Sequence, residues 1–467
     1  MKRISILLVL LTTINTLCFG QMEIKVQFVN TKSDSVKLQA FSDKHKLEDL
    51  YVLPYSNEVI FKSKTSLDPG IYWILQDTNL VDAFFISTTK NQKFSVKIDP
   101  EKGNVYTGSI ENTHNQEYLK QIEVFNEQLV QLDNEFNQAR AKLPQYMLQT
   151  FADSCTAKAK RINAAKEAYQ RKVIAENPNT LLATIIQASI EMPQPPAEYY
   201  NNRMLYLTFY VEHFFDNFPW NDPRIFNTPI GDSKIKDFCN VIYQLDDPTL
   251  DTFVVANIEK SHINDQSFYK FFDRVESILG SNVSPYKVEH TYIKMLQKAL
   301  SYSNLEENHQ RRWTRELQTI NKNLDGSILP DFNIVMSNGD TTSFHKIESE
   351  YMILYLQHPT CPTCHEVRNR MANYPVLNTA IAKGRIKVLT VYFEDDTQVW
   401  KNFVSSRNAN PNWLHSWNYD QSIEDQQLFD TRTIPYMFLV DKDKKVIRKD
   451  ILVNEVEDYI KKLGINE

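Results

Sequence analysis

Residues 351–371 read YMILYLQHPTCPTCHEVRNRM. The apolar and aromatic run 351–356 has the length and composition of a buried strand. A short polar loop follows, and Pro362 opens a segment with apolar residues at helical spacing, Val367 and Met371. Two cysteines sit at this strand-to-helix joint. A helix that begins at Pro362 puts Cys361 at its N-terminus and Cys364 one turn on along the same face, close enough for a disulfide. Unpaired backbone N–H groups and the positive end of the helix dipole favour a thiolate at Cys361, whose pKa is therefore expected below the free value of about 8.5. Cys361 is the expected nucleophile, Cys364 the resolving thiol, and the two together the redox disulfide.

Two other chemistries fit the same spacing. Residues 361–365, CPTCH, also match the pattern for c-type haem attachment. A thiolate pair holds zinc if residues such as His358 and His365 supply the remaining ligands. A redox CxxC on an αβ unit requires a buried strand directly before the motif, whereas haem attachment does not, so the redox reading is preferred. It calls for no cofactor beyond the dithiol and no metal.

Residues 431–450, TRTIPYMFLVDKDKKVIRKD, support the same reading. Two β-rich runs, 436–440 and 445–448, flank an Asp-Lys-Asp-Lys turn and predict a hairpin with Pro435 just before its first strand. A last amphipathic helix carries Val456, Tyr459, Ile460 and Leu463. Strand, CxxC, helix, strand, helix, then Ile-Pro before a hairpin and a final helix is similar to the thioredoxin fold, in particular its exported TlpA/ResA-like branch. The resemblance implies that the Ile434–Pro435 bond is cis, that Pro435 lies against the CxxC, and that Ile434 offers its backbone to substrate. Only about 5–6% of X–Pro bonds in folded proteins are cis, so this expectation rests on the resemblance alone.

The match has departures. Tyr355 stands six residues before Cys361, where thioredoxins proper carry a buried acid that moves protons. Thr360 replaces the usual tryptophan before the first cysteine. The glutamate that TlpA-like proteins place three residues after the second cysteine is absent, and Glu366 is one position out of register. Nucleophile and resolver are intact, but a proton relay would fall to Glu366 or His365, both of which read more readily as solvated helix positions.

The N-terminal stretch MKRISILLVLLTTINTLCFGQ has a basic start, an apolar run and small residues at Cys18 and Gly20. It reads as a secretory signal, residues 1–20, too short for a membrane span. Lipoprotein anchoring at Cys18 is the lesser reading, because Leu17 makes a poor box. No later stretch is long and apolar enough to cross a bilayer, so the mature chain is expected in the periplasm or cell envelope. The Cys-x-Gly-Gln ending resembles exported proteins of Bacteroidetes-type bacteria. A net charge of −6 without basic clusters argues against nucleic-acid and anionic-membrane partners. With 42% hydrophobic residues in 467, the chain can bury several cores.

Residues 22–106 alternate apolar and polar positions in six short runs, EIKVQFV, VKLQAF, EVIFKS, GIYWIL, DAFFIS and KFSVKI, and predict an all-β sandwich. The Pro-Gly-Ile-Tyr step at 69–72 and the 107–112 junction resemble a small DUF4369-like domain. Residues 121–141 and 155–175 carry helical periodicity on either side of Pro144 and predict an antiparallel pair. The aromatic-rich stretch after them resembles a DUF5106-like helical domain. Phe209, Tyr210, Phe214, Phe215, Phe218 and Trp220 within it read as core rather than as a peptide groove. His213, Asp216 and Asp222 lack a metal-ligand pattern. Cys155 and Cys239 read as buried small apolar residues ahead of a disulfide pair.

The expected organisation is therefore a signal peptide at 1–20, a β-sandwich at 21–110, a helical domain at 111–325 and a thioredoxin-like α/β domain at 326–467, with the linker at 323–328. Within the last domain, 329–336 and 342–344 predict a hairpin, 386–393 a buried strand, 397–406 and 423–429 helices, and 412–419 a loop. The resemblance implies an exported thiol-disulfide oxidoreductase that reduces disulfides of envelope proteins and draws electrons from a membrane thiol reductase. The alternative is a non-catalytic binding or redox-sensing protein that uses the thioredoxin-like domain for docking.

Overall fold

A computed structural model describes residues 22–465 apart from 43, 91, 282, 283, 285, 407 and 408. The expected signal segment and Cys18 lie outside the described residues. The chain divides into two compact units, Met1–Leu279 and Gly280–Glu467.

The first unit opens with eight strands: β1 Met22–Phe28, β2 Ser35–Phe41, β3 Leu47–Pro54, β4 Glu58–Ser63, β5 Gly70–Gln76, β6 Asn79–Ile86, β7 Gln92–Ile98 and β8 Val105–Thr107. They form two four-stranded sheets, ordered β4-β1-β7-β8 and β3-β2-β5-β6. Alternate residues of both sheets, among them Ile24, Leu38, Phe61, Ile74, Phe84 and Val96, meet in one core. That is the expected sandwich. Two strands lack the alternation that signals the others. β3 lies at a sheet edge with no buried residue, and β8 is three residues long.

Helices follow. α1 Ile110–Lys142 is capped by Ser109, and α2 Gln145–Glu176 starts after Pro144, whose ring fits a helix start but not its interior. Then come α3 Leu181–Ser189, α4 Arg203–His213, α5 Pro229–Ile242, α6 Asp247–Ser261 and α7 Asp265–Val275. Phe214, Phe215 and Phe218 are buried, and Phe215 packs 5.1 Å from Trp220 and 4.9 Å from Phe238, so these aromatics are core. Cys155 and Cys239 are buried free thiols. Asp222 pairs with Arg224 and His213 with Asp216, each at 2.6 Å, and no metal-holding group occurs among the described residues.

The second unit holds α8 Glu289–Leu300, α9 Glu307–Ile320, β9 Asn333–Met336, β10 Thr341–Ser343, β11 Tyr351–Leu356, α10 Pro362–Ala372, α11 Pro375–Ala382, β12 Ile386–Tyr392, α12 Thr397–Val404, β13 Leu414–Trp417, α13 Ser422–Asp425, β14 Tyr436–Asp441, β15 Val446–Lys449 and α14 Val456–Lys462. Its seven-stranded sheet runs β10-β9-β13-β12-β11-β14-β15. β11 is parallel to β12 and antiparallel to β14. It is buried on both faces: Met352, Leu354 and Leu356 enter one core, Ile353 and Tyr355 the other. This accounts for its unbroken apolar reading.

Two local expectations differ from the structure. Segment 412–419 contains a strand, β13, rather than only a loop, because it pairs with β12 and β9. The helix expected over 423–429 is the single turn α13. Phe429 beyond it is buried in the sheet core instead. α11, begun by Pro375, had no separate expectation. The division between units falls at Leu279/Gly280, ahead of the 323–328 linker. α8 and α9 join the sheet's unit because Lys287 pairs with Asp450 at 2.8 Å, and Lys449 pairs with Glu289 at 3.1 Å and donates to the Ile320 carbonyl at 2.5 Å.

Candidate active site at the β11–α10 joint

β11 ends at Leu356, and the Gln357 N–H still donates to the Val391 carbonyl at 3.0 Å, so the loop leaves from a fixed point in the sheet. The turn from His358 to Cys361 is closed by the Cys361 N–H on the His358 carbonyl at 3.1 Å. The Thr360 N–H reaches His358 Nδ1 at 3.2 Å and its hydroxyl lies 2.9 Å from the same nitrogen. Nδ1 therefore accepts, and the ring proton sits on Nε2, 3.5 Å from the Glu394 carboxylate.

α10 begins at Pro362 with Cys361 as its N-cap, and the Cys364 N–H donates to Cys361 Sγ at 3.3 Å. An N–H freed at a helix start thus serves the sulfur. Cys361 is half-buried and Cys364 fully buried. Burial is the main reason the Cys364 thiol is pushed up to about 12, with its hydrogen bond to Cys361 second. The His358 backbone and the Arg368 guanidinium pull the other way.

Tyr355 is fully buried beneath this joint, and its hydroxyl donates to the Cys364 carbonyl at 2.8 Å. Burial raises its pKa well above the usual phenol value, with the neighbouring cysteines adding to the effect. It is a donor that ties α10 to β11, and it cannot take a proton. Glu366 is exposed; two positions from Cys364 on a helix is about 200° around the axis, so it faces away from the thiol. His365 is half-buried, with Nε2 3.0 Å from the Asn369 amide and Nδ1 3.4 Å from Arg368.

The Ile434–Pro435 bond is cis. β14 begins at Tyr436, paired with Leu356, so the next position brings Pro435 level with Gln357, at the root of the loop that carries Cys361. Ile434 packs against the sheet core. The dithiol loop and the Ile434–Pro435 turn thus leave the sheet side by side.

Sequence reasoning missed Arg368 and Gln357, which are 3% and 0% exposed. Arg368 donates to Gln357 Oε1 and, at 3.4 Å, to the Pro359 carbonyl, and its guanidinium lies 5.0 Å from the centre of the Phe403 ring. The one available signal was spacing: Arg368 stands one turn beyond Cys364, on the face that also carries Val367 and Met371.

Residues 349–446 match the model of a family described as thioredoxin-like, and residues 154–323 match a domain of unknown function, DUF5106. A crystal structure of a thioredoxin-like protein from Bacteroides caccae is 22% identical, with a TM-score of 0.54 over 58% of this chain and 98% of that one. The C-terminal domain of an uncharacterized protein from Bacteroides fragilis is 27% identical, with a TM-score of 0.29 over 30% of this chain and 98% of that one. The thioredoxin domain of a thiol-disulfide oxidoreductase from Bacteroides vulgatus is 16% identical, with a TM-score of 0.27 over 30% of this chain and 97% of that one. No curated protein matches the chain. The chain thus carries a DUF5106 domain followed by a thioredoxin-like domain whose CxxC opens its first helix after the central strand.

Proposed function

We propose that the chain is an exported thiol-disulfide oxidoreductase that reduces disulfides of envelope proteins. The observation that carries this reading is the pairing of a half-buried Cys361 at the N-cap of α10 with a buried Cys364 whose N–H it accepts. Cys361 thiolate attacks one sulfur of a substrate disulfide, forming a mixed disulfide and releasing the other sulfur as a thiol. Cys364, after losing its proton, attacks Cys361 Sγ; the Cys361–substrate bond breaks and the second substrate sulfur leaves as a thiolate. Two electrons pass to the substrate, and Cys361–Cys364 ends oxidised. Ile434 and Pro435 form the wall beside the dithiol, where the backbone of Ile434 holds the substrate chain. Regeneration needs a dithiol donor, for which a membrane thiol reductase is the partner. Among the described residues no helix is long and apolar enough to cross a membrane.

The test is reduction of an insulin-type disulfide by the reduced full-length chain, together with the reduction potential of the Cys361/Cys364 couple. A value near the thioredoxin figure of about −270 mV supports a reductase, and one near the DsbA figure of about −120 mV an oxidase. A chain that binds the disulfide protein but leaves it intact is a docking or redox-sensing module, and the proposal fails.

A further inference from the structure

Arg368 is a buried cation without an anion. It is 3% exposed, and its Nε has no hydrogen-bond partner. Its other nitrogens reach the Gln357 amide oxygen and the Pro359 carbonyl, both neutral acceptors, one lies 3.4 Å from His365 Nδ1, and Phe403 covers its flat face. No carboxylate forms an ion pair with it among the described residues. From β13 it faces His415. Nε2 of that ring must donate to the Asn410 carbonyl at 2.8 Å, and Nδ1 lies 2.7 Å from the Thr390 hydroxyl. Burial holds His415 below the usual imidazole range; its hydrogen bond to the Asn410 backbone opposes the shift, and Arg368 adds to it. From β11 it faces Tyr355, which is neutral. The groups left that become anionic are the two sulfurs on its own helix, Cys364 one turn back and Cys361 at the cap. A guanidinium taken out of water is costly unless a charge compensates it, so a charge that appears during turnover is the natural partner.

We propose that Arg368 is the counter-charge of the dithiol and stabilises the thiolate that Cys364 becomes when it resolves the mixed disulfide. The inference rests on the oxidoreductase reading. In the mixed disulfide Cys361 Sγ is bonded to the substrate and uncharged, so Cys364 is then the thiolate within the guanidinium's reach. The Cys364 proton goes to water. Its sulfur forms the bond to Cys361 as the substrate thiolate leaves, carrying the electron pair. Tyr355 offers no base here, and Arg368 answers the same need with the opposite sign: it lowers the cost of the thiolate rather than taking the proton. The Cys364 thiol is drawn down by Arg368 against the stronger effect of burial, in agreement with this role. Oxidation leaves both sulfurs neutral and the cation uncompensated, so Arg368 also disfavours the oxidised form.

The experiment uses full-length wild type, Arg368→Met, Arg368→Gln and Arg368→Lys. Each reduced protein is mixed with the thionitrobenzoate disulfide reagent in stopped flow across pH: the first release of colour reads attack by Cys361, the second reads resolution by Cys364. The neutral variants are expected to slow the second release about tenfold near neutrality and to move its pH profile up by about one unit. Lysine, a point charge in the same place, keeps most of the rate. Equilibration with glutathione reads the same charge without any substrate: the neutral variants shift toward the oxidised form about tenfold, about 30 mV. Arg368→Gln keeps a donor toward Gln357 and reads the charge alone if the methionine variant misfolds. A neutral variant with the wild-type resolution profile and glutathione equilibrium overturns the proposal. So does a lysine variant as slow as the neutral ones, which would assign Arg368 to holding the 357–361 loop. A wild type that behaves as stated yet reduces no protein disulfide sinks the reductase reading and leaves the counter-charge standing.

Discussion

In the proposed reaction Cys364 is the residue whose environment is expected to set the rate. Its thiol is pushed up to about 12, chiefly by burial, so little thiolate exists at neutral pH and its fraction rises tenfold per pH unit. Resolution is therefore expected to be slow near neutrality and to accelerate with pH into the alkaline range. Stopped flow on a preformed Cys361 mixed disulfide checks this, and a flat profile from mild acid to mild alkali would show that another group supplies a base. Tyr355 is the residue that makes the prediction sharp. Its hydroxyl bonds the Cys364 carbonyl, so Tyr355→Phe should cost about 1 kcal/mol in urea unfolding and leave the resolution profile unchanged. Tyr355→Asp supplies an acceptor and should speed resolution near neutrality, at a stability cost of about 2–3 kcal/mol for an unpaired buried carboxyl. The two thiols themselves are not interchangeable. Cys361→Ser should abolish attack, whereas Cys364→Ser should trap mixed disulfides visible on non-reducing gels; trapping by Cys361→Ser would reverse the roles.

At the scale of elements, α8 and α9 brace the segment that leads into the Ile434–Pro435 turn. Arg432 pairs with Glu316 of α9 at 2.6 Å, but its side chain is 53% exposed, so that pair contributes about 1 kcal/mol at most. The stronger ties are buried or half-buried: Lys449 on the Ile320 carbonyl, Asn323 on the Leu428 carbonyl at 2.8 Å, and Trp313 of α9 with no exposure. A fragment cut at Leu329 loses all of them. It is expected to unfold at lower urea than a fragment cut at Gly280, by about 2 kcal/mol or more, since each buried group stripped of its partner costs about 1–3 kcal/mol. Equal midpoints would mean that the helices lie on the unit without supporting it.

Over the whole molecule the CPTCH spacing has to be weighed against the fold that carries it. Cys361 and Cys364 occupy one face of a helix whose start is packed against the central strand, with Tyr355 and Arg368 filling the space beneath. Protein purified from a host with haem-maturation machinery is thus expected to be colourless, and a Soret band that survives denaturation would end the dithiol reading.

Read alone, the chain determined whatever depends on near neighbours. Six of the sandwich strands declared themselves through alternation, and α10 through Pro362 and the spacing of Val367 and Met371; the order of nucleophile and resolver is an expectation from the position of Cys361 at a helix end. Pro435 was legible only through resemblance. The strand β13 stayed hidden because its sequence is short and its pairing with β12 and β9 comes from residues far away in the chain. The same holds for α8 and α9, whose periodicity says helix but not which unit they serve; Lys449 and Asp450, well over a hundred residues downstream, decide that. Arg368 is the clearest case. An arginine on a helix reads as solvated, and only the folded arrangement of Gln357, Phe403 and His415 around it removes the water and leaves a charge beside the dithiol. Desolvation is a property of the surroundings in three dimensions, so the electrostatics of this site were decided by the tertiary structure, whereas the candidate dithiol was already legible in the spacing of two cysteines and a proline.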